Sequence, residues 1–116
     1  MVRTAALLIN FLVSIGSAGF ALSALVRPAT LSGSRDVSMG ERFYARMYAA
    51  RAIPFAFASG ILPFFSGGTA VLWILLIAAL IQFLDLLIGH RRGDRKMMLG
   101  AGIGTAVHLA CFLALL

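Results

Sequence analysis

Acidic residues are scarce in this chain. Asp36, Glu41, Asp85 and Asp94 are the only carboxylate side chains in 116 residues. A single cysteine, Cys111, excludes an internal disulfide and lacks metal-ligand spacing, so it is expected to be a small core hydrophobe. The two histidines, His90 and His108, fall in different contexts, a loop and an apolar segment, and do not make up a metal-ligand set. Ligation of a haem-type group by His108 alone has no second signal behind it, so neither metal nor cofactor is expected. G-x-S-x-G, H-E-x-x-H and P-loop motifs are all missing, which removes the common soluble-enzyme chemistries. Charged residues of both signs make up 12% of the chain, where a soluble domain carries about a quarter.

Apolar residues fill the space. They make up 61% of the sequence, mean hydropathy is +0.99, and they come in long blocks. Crossing the hydrocarbon of a bilayer takes about 20 such residues in a helix. Residues 4–26, 69–89 and 97–116 meet that length with at most one charge each. Residues 42–65 make a fourth, less pure span, with arginines in one half and "PFAFASGILPFF" in the other. The expected fold is all-α: one domain, residues 1–116, an integral-membrane four-helix bundle. "SGG" at 66–68 predicts a tight turn that makes spans two and three a helical hairpin. Ser38 with Glu41 three residues on predicts a capping box at the start of span two. Arg3 before an apolar run resembles a signal peptide, but the run continues to Val26, longer than a signal core.

The excess of cations, +6 in all, has a position. Arg27, Arg35, Arg42, Arg91, Arg92, Arg95 and Lys96 lie in or beside the 1–2 and 3–4 loops. Arg3 alone lies on the other side. Such a bias marks the cytoplasmic face, so the expected topology is N-out/C-out in a cell (inner or plasma) membrane. Flanking clusters of this kind touch lipid headgroups, not nucleic acid.

Polar side chains inside the spans are the candidates for function. At ~1.5 Å per residue from the basic end, Arg46 lies about 6 Å deep, Arg51 about 13 Å, Asp85 about 6 Å, Gln82 about 10 Å and His108 about 16 Å. At 100° per residue Tyr44, Tyr48, Arg51 and Phe55 share a face that Arg46 leaves. Arg46 is shallow enough to snorkel to the headgroups. Arg51 is not, and a lone guanidinium near the bilayer centre costs at least about 2.5 kcal/mol. It is therefore expected to turn inward and pair with Asp85, with Gln82 and the tyrosines assisting. Such a pair serves either helix association alone or a site. His108 likewise either ties helices together or carries a proton. Span one adds Asn10, Ser14 and Ser17 at i, i+4, i+7 on one face.

"GAGIG" at 100–104 lies within an apolar helix without a preceding strand, so it is no dinucleotide loop. Gly100 and Gly104 make a G-x-x-x-G face expected to receive another helix, with Gly16 and Gly19 of span one as its counterpart. Pro54 and Pro63 predict a kinked second span.

"YARMYAAR" followed by "FLDLLIG" resembles an uncharacterised family of small four-span membrane proteins over residues 40–116. Ala49 departs from that family's usual glycine. The resemblance implies that Arg46, Arg51 and Asp85 belong together, and it brings no activity with it.

Two classes of function fit these residues. One is a site for an apolar or lipid-like small molecule, with Asp85 and His108 as candidate catalytic acid–base groups and Arg51, Arg46, Tyr44, Tyr48 and Gln82 as binding residues. The other is an accessory subunit of a larger membrane complex or a homo-oligomeric small transporter. Partners are membrane lipids in either case.

Overall fold

The computed structural model describes all 116 residues. Four long helices, α1 (Val2–Val26), α3 (Met39–Phe65), α4 (Thr69–Arg92) and α5 (Arg95–Leu115), run antiparallel in sequence order, with a short α2 (Pro28–Ser32) in the first loop. Each of the four is long and apolar enough to cross a membrane. The observed helices overrun the expected spans by two or three residues at several ends, because charged and capping residues there continue the helix beyond its apolar stretch.

Local chemistry sets each boundary. Ser38 Oγ accepts from the Glu41 amide at 3.1 Å while Glu41 Oε1 accepts from the Ser38 amide at 3.5 Å, so the expected capping box starts α3. Gly93, at φ 69°, ends α4 in the left-handed conformation that costs glycine nothing, and its amide donates to the Gly89 and His90 carbonyls. Asp94 then caps α5, its Oδ1 accepting from the Met97 amide at 3.0 Å. The α4–α5 connection is thus two residues long. Arg92, on the last turn of α4, donates through Nη2 to the Leu31 and Ser32 carbonyls at 3.1 and 2.9 Å, tying the end of α2 to the basic face.

Packing runs through small residues, as expected where lipid tails offer no solvent to escape from. The fully buried positions are mostly Ala, Ser and Gly, with one larger apolar cluster of Val71, Leu75, Cys111 and Leu115 between α4 and α5. Cys111 is a core residue, as its surroundings in the sequence indicate. α1 lies along α3 with Gly60 at the crossing: a Cβ there would fall 2.8 Å from Ser14 Cβ. α5 lies along α4 with Gly104 at the crossing, where a Cβ would meet the Gln82 side chain at 2.8 Å. α1 and α5 join the two pairs, giving the lateral order α3, α1, α5, α4.

Two expectations are corrected here. α3 and α4 are consecutive and joined by the Ser66–Gly68 turn, yet they touch little, because α1 and α5 are their close partners. They form a hairpin in connectivity only, and a seam stays between them. The glycine face also differs: Gly104 takes Gln82 of α4, whereas Gly16, Gly19 and Gly100 meet nothing within 4 Å and do not form a mutual contact.

Candidate functional site

Behind that seam is a cleft of about 330 Å³, near the lower end of the usual range for small-molecule sites, about 300–1,000 Å³. Its walls come from α3 and α4, its floor from α1 and α5. Tyr48, Arg51 and Asp85 stand toward the basic end. Ala52, Phe55, Ala56, Ala78 and Ile81 form the apolar middle, and Ser14, Ser59 and His108 lie deepest. Ser17 and Gln82 bridge α1 and α4 along one side, with Gln82 Nε2 donating to Ser17 Oγ at 3.1 Å.

The structure brings Arg51, Asp85 and His108 to one cleft, but it does not pair the first two. Arg51 is exposed, and its Nη1 donates to the Met47 carbonyl of its own helix at 3.4 Å. Asp85, from the opposite wall, lies across the opening. The expected ion pair fails because it required two tightly packed hairpin arms. Arg46 is exposed and lies outside the cleft. Tyr44 lines a second, more open recess at the basic end, with Glu41, Ser32 and Arg92, and Tyr48 borders both cavities. Gln82 serves the α1–α4 bridge and not Asp85.

The floor is a continuous hydrogen-bonded chain of buried groups. Asn10, Ser14, Ser59 and His108 are each at most 2% exposed. Pro63 has no N–H, so the carbonyl of Ser59, four residues earlier, loses its helical donor. Asn10 Nδ2 supplies one instead, at 2.8 Å. With the Asn10 amide nitrogen so directed, Asn10 Oδ1 faces His108 Nδ1 at 2.7 Å. An amide oxygen only accepts, so Nδ1 carries the proton. Ser59 Oγ donates to the Ala56 carbonyl at 3.2 Å. The Ser14–Ser59 hydroxyl pair at 3.3 Å is therefore donated by Ser14. Chemically, the cleft has two ionisable groups without a mutual pair at its mouth, an apolar waist, and an imidazole of fixed tautomer at its base.

Sequence reasoning placed Asn10 and Ser14 on one face but missed Ser59 and Gly60. The signal for Ser59 was available: a serine four residues before an intramembrane proline has a carbonyl in need of a donor. Together these features define a small multi-span membrane protein with an apolar-walled lateral cleft that has polar groups at its mouth and base. No family model, curated protein or solved structure matches the chain.

Proposed function

We propose that the cleft binds an amphiphilic, lipid-like small molecule that enters from the bilayer through the α3–α4 seam. One observation carries this reading. Two ionisable side chains that gain nothing from each other, Arg51 and Asp85, converge with a buried imidazole on a single cavity with apolar walls. Intramembrane charges are costly, and those not spent on a mutual pair point to a ligand. The polar group of the molecule sits between Arg51, Tyr48 and Asp85 at the basic end, and its apolar part lies against Phe55, Ala56, Ala78 and Ile81. Acid–base conversion of the bound molecule would use Asp85 and His108, with Arg51 steadying negative charge. Tyr44 and the recess beside it form the approach from the cytoplasmic leaflet of a cell membrane, in keeping with the basic loops.

The test is to purify the protein in mild detergent, extract it with organic solvent, and identify retained amphiphiles by mass spectrometry. Wild-type protein and Arg46→Ala should retain the same species. Arg51→Ala and Ala52→Phe, which fills the waist, should lose it. Equal retention by all four, or none in any, would overturn the reading.

A further inference from the structure

The floor of the cleft has a hydrogen-bonding polarity that restricts what it can hold. Every polar hydrogen with an assigned direction there is already spent. The Asn10 amide donates to the Ser59 carbonyl, His108 Nδ1–H to Asn10 Oδ1, the Ser59 hydroxyl to the Ala56 carbonyl, and Ser14 to Ser59. One turn toward the mouth, Ser17 Oγ donates to the Val13 carbonyl at 3.1 Å and accepts from Gln82. Gln82, along the side of the cleft, keeps its second amide hydrogen, but what is left at the base is acceptor capacity. Ser14 Oγ keeps a lone pair, and His108 Nε2, on a side chain only 2% exposed, takes no partner from the protein. An acceptor in an apolar cleft gains free energy when a donor meets it.

We infer that the deep end of the cleft recognises a hydroxyl group, so that the ligand is an apolar alcohol or phenol whose O–H donates to His108 Nε2. This inference rests on the reading of the cleft as a binding site and narrows it. A ketone, ether or plain hydrocarbon end brings only acceptors or nothing to a floor that already presents acceptors. Pro63 is the origin of the polarity. By leaving Ser59 short of a donor it directs the Asn10 amide, and the amide in turn fixes which imidazole nitrogen keeps its lone pair. Orienting a histidine through its second nitrogen is the general way proteins prepare the first for a ligand. The hydroxyl end lies deep, and Arg51 is eight residues from Ser59 along α3. The polar group at the mouth is therefore about 12 Å from the hydroxyl at 1.5 Å per residue.

The experiment uses full-length protein labelled with 15N-histidine in detergent micelles, with 1-decanol and decyl methyl ether as probes. In the free protein the His108 spectrum should show Nδ1 protonated and Nε2 bare. 1-Decanol should shift the Nε2 resonance and bind on the order of tenfold tighter than the ether, the worth of one good hydrogen bond. His108→Phe should abolish that preference while still binding the ether. Should that variant not fold, the wild-type spectrum and the alcohol-to-ether ratio decide by themselves. A protonated Nε2, or equal affinity for the two probes with both lost in Ala52→Phe, overturns the hydroxyl preference while the cleft remains a site. Failure of both probes to bind, or binding untouched by Ala52→Phe, removes the cleft reading and this inference with it.

Discussion

Asn10 occupies the hydrogen-bonding place that Pro63 vacates. The proline strips the Ser59 carbonyl of its helical donor, and the amide of Asn10, from the neighbouring helix, donates to it at 2.8 Å. A helix interruption and an intramembrane asparagine, each costly alone, satisfy each other and lock α1 against α3 at the depth where Gly60 lets the two backbones approach.

That mutual dependence is measurable. Asn10→Leu leaves both the Ser59 carbonyl and His108 Nδ1 without partners and should destabilise the bundle. Single interhelical hydrogen bonds in membranes average about 0.6 kcal/mol and reach about 1.7. With two groups orphaned, a loss of about 1–3 kcal/mol is expected in detergent-driven unfolding. In a Pro63→Ala background the helical donor to Ser59 is restored, so the same substitution should cost less. A double-mutant cycle with no coupling between positions 10 and 63 would contradict the exchange of donors.

Glycines divide into two kinds by what an added methyl would touch. Gly60→Ala pushes into Ser14 Cβ and Gly104→Ala into the Gln82 side chain, each at 2.8 Å, and both should destabilise, the first more because Gln82 is the more flexible neighbour. Gly16→Ala and Gly100→Ala meet nothing and gain helix propensity, so they should be neutral or stabilising by up to about 1 kcal/mol. Unfolding of the four variants side by side checks the order.

Arg92 is the sole side-chain link between the end of α4 and α2. Arg92→Ala should free residues 33–38, speeding their amide hydrogen exchange and their cleavage in limited proteolysis. Because the contact is solvent-exposed, global stability should fall by no more than about 1 kcal/mol. Unchanged exchange in that loop would show that the short helix is held by other means.

Much of this fold is legible from the sequence because a bilayer simplifies the problem. Span lengths follow from apolar runs, and the Ser38–Glu41 cap follows from local residue chemistry. What was not legible is which helices choose each other. α3 and α4 are joined by three residues, yet Gly60 makes α1 the closer neighbour of α3, and Gly104 draws α5 to α4. A single glycine among twelve carries no mark of the partner it will admit. The supposed pairing of Arg51 with Asp85 failed for that reason: both side chains were placed on helices assumed to be in contact. Asn10, Ser14 and His108 were visible as polar residues, but their chain of donors emerged only when Pro63 was recognised as leaving Ser59 in need.

The orientation expected from charge can be tested independently of any ligand. The ends of α1 and α4 and the starts of α3 and α5 lie together, so Arg27, Arg35, Arg42, Arg91, Arg92, Arg95 and Lys96 gather at one end of the molecule. Arg3 stands at the other, beside Gly67 of the α3–α4 turn. Holding seven cations on the cytoplasmic side is favoured over translocating them. In a Cys111→Ala background, Gly67→Cys should react with a membrane-impermeant maleimide on intact cells. Ser34→Cys, in the basic loop, should react only after permeabilisation. Replacing Arg91, Arg92, Arg95 and Lys96 with neutral residues removes four of the seven cations and should give a mixed population labelled at both positions. Labelling of Ser34→Cys from outside in the otherwise unaltered chain would invert the bundle and place the mouth of the cleft, with Arg51 and Asp85, in the outer leaflet.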